Sequence, residues 1–209
     1  MIQVKVLAVR YLTSASPALA KGLGAPAGYP CLGMLTTDSD DATYIALDEA
    51  TKAADVAVCY GRSFYAGADN ATTPNAGEVI GVLAGKTPGA VRSGMEAALR
   101  ALEHIGFQLA GDVPYLAHTV SRTGSYLSKE AGVKEGSALA YLIAPPLESM
   151  YALDSALKAA DVKLCKLYAP PSETNFGGGL LHGTQSACEA ACAAFARAVA
   201  EVAARPAQS

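Results

Sequence analysis

Residues 46–56 read ALDEATKAADV and residues 152–162 read ALDSALKAADV, so nine of eleven positions are identical at an offset of 106 in a chain of 209 residues. Three residues beyond each copy stands a cysteine, Cys59 and Cys165. Ahead of each lies an apolar run, CLGML at 31–35 and ALAYL at 138–142. Alanine-rich helices resemble one another by chance, but not in one register across several elements. The chain is therefore read as two copies of one domain, 1–111 and 112–209. Each half is long enough to bury a core of its own.

Composition narrows the partners. The chain is 51% hydrophobic and only 17% charged, with a net charge of −3. A surface that poor in charge points to coverage by further copies of the chain. No apolar run is long enough to span a bilayer, and the N-terminus MIQVKVLAVRYL alternates like a strand and lacks a cleavable signal. No extended basic stretch suggests nucleic acid. Cysteines 31, 59, 165, 188 and 192 form an odd set without a CxxC pair, which fits a reducing cytosol. Cys188 and Cys192 lie four apart on an expected helix, but His104, His118 and His182 are scattered and complete no ligand pattern. All five cysteines are expected as buried small hydrophobes, and no metal site is expected.

Strands are expected at 3–12, 31–36, 56–60 and 78–84, then at 114–120, 138–144, 162–168 and a short stretch reaching His182. Ser16-Pro17 and Thr87-Pro88 each pair an N-cap with proline at the first helical position. They open a short helix ending at Gly22 or Gly24 and a long one running to Gly106. Further helices are expected over 42–54, 123–132, 147–160 and 185–203. Two segments, 61–77 and 169–179, lack periodicity and are read as functional loops. Each half thus runs strand, short helix, strand, helix, strand, loop, strand, helix. The fold class is α+β, with a small, mostly antiparallel sheet carrying helices on one face.

Enzymatic signatures are missing. There is no GxSxG and no phosphate-binding loop, and the GGG at 177–179 is not a dinucleotide fingerprint. Ser125 and Lys129 match neither SxxK nor YxxxK spacing. Without a base–nucleophile pair or metal set, the chain is not read as an enzyme. Asp38, Asp40 and Asp41 stand at one helix start and Glu148 at the matching start of the second half. They either cap those helices or form a negative constriction for a small cation, and periodicity does not choose between the two.

Several motifs carry a family resemblance. LGMLTTDSDD, ALDEATKAADV and GEVIGVLAG resemble the bacterial microcompartment shell (BMC) domain. YGRSFYAGA, HTVSRTGSYLSK, YLIAPPLESMYALDSALKAADV and PPSETNF are similar to the ethanolamine-utilisation branch of that family, over nearly the whole chain from residue 30. The resemblance implies two tandem, circularly permuted BMC domains and a homotrimer that imitates a hexamer. Such trimers tile with other shell proteins in the bacterial cytoplasm. It implies tile-edge roles for Lys52 and Lys158. It places Tyr65, Gly67, Asn70, Gly77, Asn175, Phe176, Gly177 and Gly178 in loops that gate a central pore. It assigns Asp40, Asp41, Phe107, Glu148 and Glu173 to a small pore within each subunit, selective for metabolites such as ethanolamine. No cofactor is required by this reading. The alternative is a trimeric sensor that binds a small molecule or cobalamin and builds no shell.

Overall fold

The computed structural model describes residues 1–64, 73–170 and 175–207. By contacts the chain forms two compact units. The N-terminal unit comprises Gln3–Ile105 with Gly124–Leu127; the C-terminal unit comprises Met1–Ile2, Gly106–Thr123 and Ser128–Ser209.

The N-terminal unit contains β1 (Val6–Leu12), α1 (Pro17–Gly22), β2 (Cys31–Thr37), α2 (Asp40–Ala53), β3 (Val56–Ser63), β4 (Val79–Gly85) and α3 (Pro88–Leu102). Its strands are ordered β1-β2-β4-β3, every pair antiparallel. Alternation sorts the central strands' side chains. Leu32, Val82 and Ala84 join Ala15, Leu12 and Leu23 on one face, beside α1. On the opposite face α2 and α3 pack closely, because a side chain at Gly33 would meet Val91 and Met95, and one at Gly81 would meet Leu47. The helix starts follow the expected chemistry. Ser16 Oγ accepts the Leu19 amide at 3.3 Å and Thr87 Oγ1 accepts that of Ala90 at 3.1 Å.

The C-terminal unit repeats the plan with β6 (Val113–Val120), β7 (Ala138–Ala144), α5 (Pro146–Ala159), β8 (Val162–Tyr168), β9 (Gly177–Gly183) and α6 (Gln185–Ala204). The sheet, again antiparallel, is ordered β5-β6-β7-β9-β8. Leu142, Leu153, Leu181, Cys188, Cys192, Phe195 and Val199 fill its core. The added strand β5 (Gln108–Ala110) turns into β6 through Gly111-Asp112, so the division expected at 111/112 lies in a turn inside the C-terminal unit, which by contacts begins again at Gly106. The short helix α4 (Ser125–Ala131) begins among the residues of the N-terminal unit and ends in the C-terminal one. No described helix is long and apolar enough to cross a membrane.

Three expectations need correction. The long helix ends at Leu102 and not at Gly106. The second loop is shorter than its composition suggests, since Gly177, Gly178 and Gly179 are buried in β9, paired to β7. Three successive glycines read as a flexible loop, yet here they let two neighbouring strands and α5 approach closely. Cys31, Cys188 and Cys192 are buried, but Cys59 and Cys165 are half-exposed. Each of the latter sits in the register shift of an edge strand, between Val58 and Tyr60 or between Leu164 and Lys166, where a bulged residue lacks a ladder partner. Burial raises both thiols, that of Cys59 to about 11, so they stay protonated near neutrality.

Candidate functional site

In the N-terminal unit, acidic side chains gather where β2, β3 and β4 meet the start of α2. Ser39 is the N-cap of α2, and Asp40 and Asp41 fill the first turn, each only 7% exposed. The free amides of a helix start favour anions there. Asp40 Oδ1 accepts the Asp41 amide at 2.8 Å, and its carboxylate also hydrogen-bonds Ser63 on β3. Ser63 Oγ in turn lies 2.5 Å from the Tyr44 hydroxyl. Asp38 accepts the main-chain amide of Lys5 at 2.8 Å. Glu78 is drawn in by its backbone, donating to Thr37 O at 2.8 Å and accepting from Phe64 N at 3.0 Å.

This crowding sets the proton affinities. Burial raises the Asp40 pKa, against the Ser63 hydroxyl and nearby amides, which favour the anion. Glu78 is raised from 4.5 to about 7, first by burial and then by the charges of Asp40 and Asp38. A carboxyl that holds its proton more tightly when folded loses stability as pH climbs through that interval. Glu78 is half-exposed, so screening leaves an effect of about 1 kcal/mol. Glu78→Gln should therefore match the parent at about pH 5 and exceed its stability by roughly 1 kcal/mol at about pH 8. Thermal unfolding of both proteins across that range checks this; a gap independent of pH would refute it.

Among the described residues, the equivalent positions of the C-terminal unit lack this charge. Counting along the repeats, Pro146 and Leu147 replace Asp40 and Asp41, and Phe176 replaces Glu78. Glu148, in the first turn of α5, is half-buried. Phe107, between α3 and β5, stacks at a tilt on Phe176 with centroids 5.6 Å apart, and its carbonyl accepts the Ile2 amide at 2.6 Å. Of the loop residues, Gly77 (φ +66°) and Asn175 (φ +64°) occupy matching left-handed positions just before β4 and β9. Asparagine tolerates that conformation better than most residues with a side chain. Gly177 and Gly178 are strand residues, as given above. Tyr65, Gly67, Asn70 and Glu173 lie outside the described residues. The structure therefore groups Asp40 with Asp41 in one unit, and Phe107 with Phe176 in the other.

The two matched lysines differ in setting. Lys52 is 24% exposed and pairs with Glu49, with Asp48 3.8 Å away. Lys158 is 75% exposed and pairs with Asp154 at 2.6 Å. Among the described residues, no group of three or more His, Cys, Asp or Glu side chains is set to hold a metal ion. Sequence reasoning missed Glu78 and Ser63, which join the acidic group only through the pairing of β3 and β4.

A family profile described as the BMC domain matches residues 31–114. The chain is 58% identical to the bacterial microcompartment shell protein EutL of Clostridium perfringens, over 99% of this chain and 97% of that one. It is 50% identical to the EutL shell protein of Escherichia coli, over 100% of this chain and 97% of that one. The crystal structure of the ethanolamine utilization protein EutL from Leptotrichia buccalis superposes with a TM-score of 0.97 at 58% identity, covering 100% of this chain and 98% of that one. With the duplicated antiparallel plan of each unit, these likenesses place the chain in a single family. It belongs to the EutL family of bacterial microcompartment shell proteins.

Proposed function

We propose that this chain is a shell tile of an ethanolamine-utilising microcompartment in the bacterial cytoplasm. It works as a homotrimer, meets other shell proteins at its edges and passes small metabolites. The observation that carries this reading is the 58% identity, over nearly the full length, to a shell protein of that kind. The segments around Tyr65, Gly67, Asn70 and Gly77, and around Asn175 and Phe176, act as the gate of a central pore. Lys52 and Lys158 act at the tile edge. Asp40 and Asp41, with Phe107, Glu148 and Glu173, form the small pore. Acidic groups in a confined neck attract an ammonium-bearing substrate such as ethanolamine and give a neutral aldehyde no such advantage. The chain performs no catalysis and needs no cofactor for this role.

Electron microscopy of purified protein, with calorimetric titration of ethanolamine, tests the proposal. Flat arrays or tubes of three-fold particles are expected, with ethanolamine binding that weakens at least about tenfold in Asp40→Asn/Asp41→Asn, since two charge contacts are lost. Discrete particles that never assemble but retain cobalamin on gel filtration would favour the sensor reading. Ethanolamine affinity equal in parent and variant would remove these carboxylates from the pore.

A further inference from the structure

The contacts that hold Gly124–Leu127 in the N-terminal unit have a counterpart that the single chain leaves unused. Asp48, fully buried on α2, accepts the main-chain amides of Gly124 at 2.7 Å and Leu127 at 2.8 Å. Thr51 Oγ1 accepts the Ser125 amide at 3.0 Å, and the Tyr126 ring lies 6.2 Å from that of Tyr44. Leu127 is thereby 1% exposed.

The repeat supplies an equivalent for every one of these residues. On the helix side, the offset of 106 carries Tyr44, Asp48 and Thr51 to Met150, Asp154 and Leu157. On the segment side the offset is 108, fixed by two independent marks. Gly24 with Gly132, and Gly28 with Gly136, share positive φ. The Ala25–Ala20 main-chain bond recurs as Val133–Ser128. Gly124, Ser125, Tyr126 and Leu127 therefore correspond to Ser16, Pro17, Ala18 and Leu19.

The C-terminal unit contains no such segment. The side chain of Asp154 is 61% exposed where that of Asp48 is buried, and Leu19 is 46% exposed where Leu127 is covered. Were Ser16–Leu19 seated on α5 of its own chain, both residues would be covered as their equivalents are. We propose that Ser16–Leu19 of one copy seats on α5 of a second copy, with Pro17 against Leu157 and the start of α1 facing Asp154.

The residue exchanges between the repeats match across this contact. Ser125 donates an N–H and Thr51 accepts it; Pro17 has no N–H and Leu157 has no acceptor. Both halves of a hydrogen bond are replaced together, and an apolar contact takes its place. The Tyr126–Tyr44 pair becomes Ala18 with Met150. The aspartate is retained, and Lys158 stands beside Asp154 as Lys52 stands beside Asp48. Leu19 already gives its amide to Ser16 Oγ, so Asp154 receives that of Ser16. Donor segment and acceptor helix are different surfaces, so each copy offers one of each and the association runs head to tail, as a closed ring requires. The inference rests on the ring-trimer reading and gives that ring a contact.

The test is Pro17→Cys with Leu157→Cys in one chain, oxidised with copper–phenanthroline and read by non-reducing gel and intact mass, beside each single variant. Covalent trimers are expected from the double variant and no linkage from either single variant. Leu19→Asp changes a side chain that is 46% exposed in the single chain and places a charge opposite Asp154. It should raise the concentration at which trimers dissociate by at least about tenfold, read by mass photometry. A monomeric parent protein would overturn the ring and this contact together. A trimeric parent whose double variant links only within one chain or not at all, and whose Leu19→Asp variant dissociates as the parent does, would overturn this contact and leave the ring standing.

Discussion

Asp48→Ala is expected to destabilise the protein by about 3–4 kcal/mol, because it leaves two buried main-chain donors without an acceptor. Asp48 is 0% exposed, and its two oxygens receive Gly124 and Leu127 separately. Burial raises the Asp48 carboxyl pKa, and the two amides oppose that rise by favouring the anion. Asp48→Asn keeps one acceptor oxygen and turns an N–H toward the other amide, so about half the loss should remain. Chemical denaturation midpoints of the three proteins measure the series. Asp48→Ala within about 0.5 kcal/mol of the parent would mean that Gly124–Leu127 is held by apolar packing alone.

Gly178→Ala should do more damage, and by another route. Gly178 is the second residue of β9 with φ +151°, where a side chain is strained before any contact is counted. Its added methyl group would also strike the Leu142 carbonyl oxygen and sit 2.8 Å from that carbonyl carbon and 3.0 Å from Ile143 Cα. These are main-chain atoms of the paired strand β7, so no rotamer change relieves them. A loss above about 4 kcal/mol is expected, seen as insoluble expression or as early melting of the C-terminal unit. Gly28→Ala supplies the comparison. Gly28 has φ +82° but nothing within 4 Å of the added carbon, so conformational strain alone operates and about 1 kcal/mol is expected. Equal losses at the two positions would show that the collision in β9 is relieved by strand movement.

Much of the fold was legible because its signals are local. β7 and β8 begin and end where the apolar runs at 138–144 and 162–168 do, and α1 opens at the Ser16-Pro17 cap. The strand β5 escaped notice because three residues carry no periodicity. The glycines of β9 misled because glycine normally weakens a strand, and only the closeness of the opposing backbone explains them. At the site, Asp40 and Asp41 stood out as paired acids at a helix start, whereas Glu78 owes its place to strand pairing across the sheet. Asp48 is the sharper lesson. It belongs to the same motif as Asp154, yet one carboxylate is fully buried and the other exposed. A motif fixes what a residue is, and the segment lying over it decides what it does.

The bulges at Cys59 and Cys165 bear on how such a protein avoids joining wrongly. β3 and β8 each form one of the two outer edges of their sheets, and an unbroken outer strand invites pairing through main-chain hydrogen bonds. Each is interrupted at the same point, and β8 carries Lys163 and Lys166 besides. Contacts between copies along these two edges must then be made by side chains, whose bonds are separately weak and separately broken. A layer assembled that way can release one member and accept another without unravelling its neighbours, which strands fused edge to edge would not permit.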